Sequence, residues 1–553
     1  MLAGLGRAIA GGLKAWSGGD GSGLEAGRMG RRLGGWVPSR SHVNTLINSS
    51  GSNTLARARF LARNNGYAFS AVECFSSNLV GAGITPSWKS PLSEGGDNAV
   101  AEAAAQKKSV HALWARWVDE ADCEGVTDFY GLQKRIAREM FIAGEIFVRL
   151  RPRYLSDGLS IPLQLELLPS EQLPVWLNMP LANGNWIRQG IEFDRIGRRV
   201  AYHFWRVNPG DITLAPKFGE RIRIPASQII HVFDPLEAGQ IRGLSRLTPA
   251  IVTLWMLDIY DDAELDRKKT AALFNVFIRR ADPDGEIFDN EKAKTAQTPG
   301  AAADEGPAAV KLEPGAAHVL LPGEDISTAA PADSGQSFEP FQYRILTRVC
   351  AALGLPYAGV TGDVRQASYG SQRAAMIEAR RRAEAIQHGV IAFQFCRPVF
   401  RAFLDSAHIA GALNFDGYAD DPQDYLQMDW IPPRWMWIDP LKDRQAEILA
   451  VDAGFKARSQ VIEEEGYDAA EVDQRIADDA ARAERLGITL QGSQGLKKLL
   501  SEPPPDTVDD SGNPMGEDAT PNEDREPTSS PVKKTAPPKP KPPKAHSVSP
   551  YRN

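Results

Sequence analysis

Asp258, Asp262 and Asp266 stand four residues apart in a stretch that reads as one long helix, Leu244 to Arg280, so their carboxylates share one face. Like charges at that spacing cost a helix only ~0.2–0.5 kcal/mol per pair, which packing absorbs. The plain reading of the row is a solvated face balanced by Arg267 or Lys268. A second kind of acidic grouping, Asp420, Asp421 and Asp424 or Asp439 and Asp443, has the donors a metal-dependent nuclease uses. Beside Pro and Gly, however, such aspartates read as turns and helix caps. Arg373 and the run Arg380–Arg382 sit on a basic, Ala-rich helix, Ser371–Ala407, suited to phosphate or to ion pairs. Trp430, Trp435 and Trp437, with Pro432 and Pro433, have the composition of a base-stacking platform, but core packing is the reading adopted. His203 and His231 lie in β-rich segments and read as structural.

Several chemistries lack their motif. There is no G-x-x-x-x-G-K-[ST] phosphate loop, no H-E-x-x-H, no Cys/His zinc spacing and no G-x-S-x-G elbow. No cofactor or metal is therefore expected. Cys74, Cys123, Cys350 and Cys396 are irregularly spaced without a C-x-x-C pair, and read as thiols of a reducing compartment. The net charge of −7 over 553 residues argues against a chain that coats DNA as a polycation. No apolar run approaches the ~20 residues of a membrane span.

The elements around these residues follow from periodicity. The first ~40 residues are Gly-rich and read as a flexible arm. Helical spacing of apolar residues runs from Ser52 to about Gly81, then through Val110, Leu113, Trp114 and Trp117, then from about Tyr130 to Ala143. β-rich segments follow: 145–151, 163–168, 190–193, 199–207 and 228–233, with a hairpin over Phe193–Trp205 turning at Asp194 and Gly197. Helices then antiparallel strands make an α+β region. After the long helix, residues 282–332 read as loop with a short strand at His318–Leu321. Phe338–Leu353 reads as a helix, Ala358–Gly370 as a loop, and 439–486 as about three short helices separated at Gly454 and Gly466. From Glu502 onward Pro, Asp, Glu, Ser and Lys dominate, a composition expected to remain disordered.

Several strings, in one consistent order, resemble the lambda-type phage portal family. They are RARFLARNNGYA from Arg57, NLVGAGITP from Asn78, WARWV from Trp114, DCEGVTDFYGLQ from Asp122 and AGEIFVR from Ala143. They continue with GIEFDRIGRRVAYHFW from Gly190, IIHVF from Ile229, QIRGLSRLTPAI from Gln240 and LGLPY from Leu353. ASYGSQRAA from Ala367, WMWIDPLKDRQAE from Trp435 and EGYDAAEV from Glu465 complete the set. The likeness extends from about Arg57 to Leu486. It departs at Ala367, where family members often read N-Y-S-S, and is scattered over 282–331.

The resemblance implies a portal fold and a ring of twelve copies at one capsid vertex, without enzymatic activity. The implied parts are an arm (1–45), a wing (46–243), a first stem helix (244–280), a clip (281–337) and a second stem helix (338–353). A tunnel loop (354–370), a wing helix and return (371–438), a helical crown (439–490) and a tail (491–553) follow. It implies that the ring passes double-stranded DNA during packaging and ejection, and docks the terminase large subunit and later a head–tail connector. It also implies contact with the major capsid protein and scaffold, and residence in the virion after assembly in the host cytoplasm. In such a ring Asp258, Asp262 and Asp266 become an acidic lining that keeps the duplex from sticking. Asp363, Arg365, Gln366 and Tyr369 become the tunnel loop. The rivals are a metal-dependent nuclease and another minor head or connector protein.

Overall fold

A computed structural model describes residues 37–94, 97–213, 219–272, 276–280, 324–328, 335–365, 368–433, 435 and 440–488. The chain divides into two units, 1–475 and 476–553. Of the second, residues 476–488 are described.

The fold is a mixture of helix and sheet. Helices α1 (Val43–Asn64) and α2 (Gly66–Leu79) meet at Asn65, whose side chain caps α2 by accepting from the Ala68 N–H at 2.7 Å. Strand β1 (Thr85–Trp88) leads to α3 (Asp97–Glu120) and α4 (Phe129–Ile142), the latter capped by Asp128. Next come β2 (Glu145–Pro152), β3 (Leu163–Leu168), β4 (Met179–Pro180), β5 (Trp186–Arg188), β6 (Ile191–Phe193), β7 (Arg199–Trp205), β8 (Arg221–Pro225) and β9 (Ile229–Phe233). They form a three-stranded sheet in the order β3-β2-β9 and a five-stranded meander, β4 to β8; the pairs within both are antiparallel. The expected hairpin is the β6–β7 pair, its turn held by Asp194, which accepts from the N–H groups of Ile196 and Arg198.

The long helix differs from its expected bounds. Helix α5 is Ile251–Ala272, preceded by turns around Pro249, and Val276–Arg280 is not helical but strand β10. Val276, Phe277 and Ile278 are β-branched or aromatic residues that suit a ladder, and β10 pairs antiparallel with β11 (Glu324–Thr328). The strand expected at His318–Leu321 lies outside the described residues. Helix α6 (Gly335–Leu353) runs antiparallel to α5: Lys268 sits over the Phe338 ring at 5.0 Å, while Gln342 meets Asp261 at 3.2 Å. The segment expected as loop contains a short helix, α7 (Tyr357–Thr361).

The basic helix begins at Tyr369 and continues past its expected end. Helix α8 (Tyr369–Ile386) runs through a π-helical segment (Gln387–Cys396) into α9 (Arg397–Ile409). Strand β12 (Met428–Ile431) returns to pair with β1, closing a loop of more than three hundred residues. Three short helices follow as expected, α10 (Pro440–Asp452), α11 (Arg458–Glu464) and α12 (Ala469–Leu486).

One apolar core joins α2, α3, α4, the π segment and α9. At its centre the Trp114 ring lies 5.0–5.4 Å from the rings of Trp117, Phe129, Phe400 and Phe403. Trp430 packs against Trp114 and Phe400, so this residue serves the core, as expected. A second core lies under the five-stranded sheet, around Phe147, Tyr202 and Phe204.

Candidate functional site

Helix α5 and the segment after α7 carry the sequence-predicted site residues. Their placement begins at a buried charge cluster just upstream of α5. Gly144 and Gly243 bring two chain segments so close that a Cβ on Gly144, at φ 85°, would sit 2.2 Å from the Leu244 carbonyl carbon. This contact leaves Glu145 and Arg242, 1–2% exposed, facing each other at 2.6 Å. Glu145 also accepts from Ser170 Oγ at 2.6 Å, the Gly243 N–H at 2.7 Å and His231 Nε2 at 3.0 Å. The Arg242 guanidinium donates further to the carbonyls of Gln189 (2.8 Å) and Leu173 (3.1 Å). Burial would raise the Glu145 pKa, but Arg242 and His231 outweigh it and hold the carboxyl well below its usual range. Burial pushes His231 down to about 4 against the pull of Glu145. His231 is therefore neutral near neutrality, with its proton on Nε2. The cluster ties β2, β9 and the segment entering α5 into one rigid base.

From that base, α5 buries Ile251, Leu254 and Leu257 against the body. The three aspartates do not share one environment. Asp258 is half-buried and accepts from Asn65 Nδ2 at 2.6 Å. Asp262 is exposed, and Asp266 is exposed with Lys269 Nζ at 3.2 Å. Asp261, which the sequence reading did not single out, faces α6. Burial raises its pKa, helped by the charges of Asp258 and Asp262 and opposed by the Gln342 hydrogen bond. Val252, Trp255, Met256 and Ile259 are exposed at i, i+3, i+4 and i+7, an apolar stripe bordering Asp262. That spacing is the signal that could have found it.

Beyond α7, Asp363 accepts from the Arg365 backbone N–H (3.0 Å) and from its guanidinium (2.9 Å), and the Arg365 hydrogen bond pulls the Asp363 carboxyl down to about 2. Arg365 also meets Glu339 at 3.1 Å. Its charge is thus matched within the chain. Gln366 lies outside the described residues. Tyr369 opens α8, capped by Ser368.

The remaining candidates are placed apart. Asp421 caps a short turn by accepting from the Gln423 N–H at 3.0 Å. Asp443 pairs with Arg373 at 2.8 Å. The Arg380 guanidinium lies over Trp435 at 5.4 Å, and Arg382 meets Glu378 at 3.3 Å. Asp439 and Trp437 are outside the described residues. His203 bonds to Glu192 at 3.0 Å, a structural role shared with Arg223. Among the described residues no three His, Cys, Asp or Glu side chains gather as metal ligands, and no helix is long and apolar enough to cross a membrane.

The arrangement is a set of surfaces built outward from a buried charge cluster. A family model described as phage portal protein, lambda family, matches residues 29–387. The chain belongs to this family of structural phage proteins. A probable portal protein of Halomonas phage phiHAP-1 is 26% identical over 477 residues, covering 84% of this chain and 87% of the relative. Portal protein B of Escherichia phage lambda is 24% identical over 494 residues, covering 82% and 87%. Among solved structures, the neck of a native gene transfer agent particle, computed with twelvefold cyclic symmetry, is 16% identical with a TM-score of 0.40, covering 73% of this chain and 91% of that one.

Proposed function

We propose that this chain assembles into a cyclic ring at one capsid vertex and forms the channel through which double-stranded DNA is packaged and ejected, without catalysing a reaction itself. The family match along most of the chain carries the reading. In the ring, Asp262 and Asp266 of α5 turn toward the axis, where repeated carboxylates oppose adhesion of phosphates. The apolar stripe Val252, Trp255, Met256 and Ile259 is then covered by the neighbouring subunit, because a patch of that kind on a lone subunit invites association. Cyclic closure requires that this face meet a different face of the next copy. Residues 281–337 form the clip, which docks the terminase large subunit and later a head–tail connector. Residues 354–370 form the tunnel loop, and the wing contacts the major capsid protein and scaffold.

Negative-stain electron microscopy with native mass spectrometry tests this. Rings with a central hole and about a dozen copies are expected. A monodisperse monomer or dimer at every salt and protein concentration, with magnesium-dependent cleavage of DNA, would refute it in favour of a nuclease.

A further inference from the structure

A groove of about 860 Å³ opens between the strands that carry Arg199 and His231 and the helical run that carries Phe393, Arg397 and Arg401. None of the three arginines has a carboxylate within 4.0 Å among the described residues. Arg199 stacks over Phe233 at 5.6 Å, Arg397 over Phe393 at 5.8 Å, and Arg401 donates to Gln423 Oε1 at 2.8 Å. Among the described residues lining the groove the one carboxylate, Asp405, accepts from Tyr418 O–H at 2.8 Å. Arg199 is half-buried, and Arg397 and Arg401 are exposed four residues apart on α9. Three cations around one concavity therefore leave positive charge unanswered in a chain of net charge −7.

Two further observations mark the same place. His231 lines the groove with its side chain 1% exposed, and its Nδ1 has no hydrogen-bond partner. Because Nε2 carries the proton toward Glu145, Nδ1 is left as an unpaired acceptor in the groove wall. Phe393 belongs to the π-helical segment, and wide turns of that kind concentrate at functional sites. It is 60% exposed at the groove, where Leu150 and Met428 add apolar lining.

We infer that this groove docks an acidic, partly apolar peptide segment of a partner protein. Its carboxylates would meet Arg199, Arg397 and Arg401, and its apolar side chains would cover Phe393. Peptide suits the site better than nucleic acid: the cations surround a pocket with apolar lining instead of tracking a line of phosphates, and a carboxylate sits among them. The groove lies wholly within one subunit, so the inference does not rest on the ring.

The test uses the full chain and a fluorescein-labelled eight-residue peptide, Glu-Leu-Glu-Phe repeated twice, read by anisotropy as subunits and as rings. Saturable binding below about 100 µM is expected, weakened at least about tenfold by Arg397→Glu/Arg401→Glu. Arg57→Glu, at an exposed position of α1, leaves binding unchanged. Circular dichroism checks folding; Phe393→Ala and Arg397→Gln/Arg401→Gln serve if the reversal unfolds the chain. No saturation below about 1 mM overturns the inference, as does equal binding of the lysine-for-glutamate peptide or insensitivity to charge reversal. Displacement of the peptide by a short DNA duplex, with duplex binding lost in the same variant, assigns the groove to nucleic acid instead. Binding by subunits but not by rings assigns it to a second copy of this chain.

Discussion

Replacing Glu145 by Gln keeps the shape of the buried cluster and removes its only negative charge. Arg242, 1% exposed, then remains as an uncompensated buried cation. One carboxylate oxygen becomes an NH2 group. Placed where Oε2 stood, it faces the Gly243 N–H, formerly at 2.7 Å, donor against donor. His231 can relieve its own side by moving its proton to Nδ1, but the Gly243 amide cannot change role. Breaking a buried ion pair by removing one partner costs about 3–5 kcal/mol, and the orphaned amide adds to the loss without simple additivity. Urea denaturation followed by tryptophan fluorescence measures it. Adding Arg242→Met to Glu145→Gln removes the unpaired cation and should recover part of the loss, with the Gly243 amide still facing a donor. A single variant within about 1 kcal/mol of the parent would show that the cluster is hydrated or unpaired, and would refute the claim that it forms the rigid base of α5.

Acid should weaken the same cluster. His231 has its folded pKa lowered from 6.5 to about 4, so its contribution is complete above about 6.5 and is lost as pH falls toward 4; Glu145, held below its ordinary 4.5, extends the loss in the same direction. The His231 part is worth roughly 3 kcal/mol, and a melting series from pH 7 to 4 should be flatter in His231→Gln. Gly144→Ala places a Cβ 2.2 Å from the Leu244 backbone and should lower stability by more than about 2 kcal/mol or abolish soluble protein. Ile259→Asp changes an exposed residue of α5, so subunit melting should move by no more than about 0.5 kcal/mol, while sedimentation velocity should lose the ring; an intact ring would show that the stripe is not an interface. Asp262→Lys/Asp266→Lys should leave rings assembled yet make them retain duplex DNA, with retention falling steeply as salt rises; unchanged retention would remove α5 from the channel lining.

What the sequence by itself determined is what local patterning encodes. The helical spacing before Gly81, the Asp194–Gly197 hairpin and the three helices between Pro440 and Leu486 were legible because turn residues and apolar periods act over a few neighbours. The ordered family strings were legible for the same reason, and with them the class of protein. Tertiary structure alone decided the rest. It started α5 at Ile251, beyond the turns around Pro249, and made Val276–Arg280 a strand through its partner Glu324–Thr328. It separated Asp258, held by Asn65 from 193 residues away, from the open Asp262 and Asp266. It matched Glu145 with Arg242 across 97 residues, and it gathered Arg199, Arg397 and Arg401 around one groove. Pairings over such distances are set by which surfaces the packed core brings together, and no local period records that.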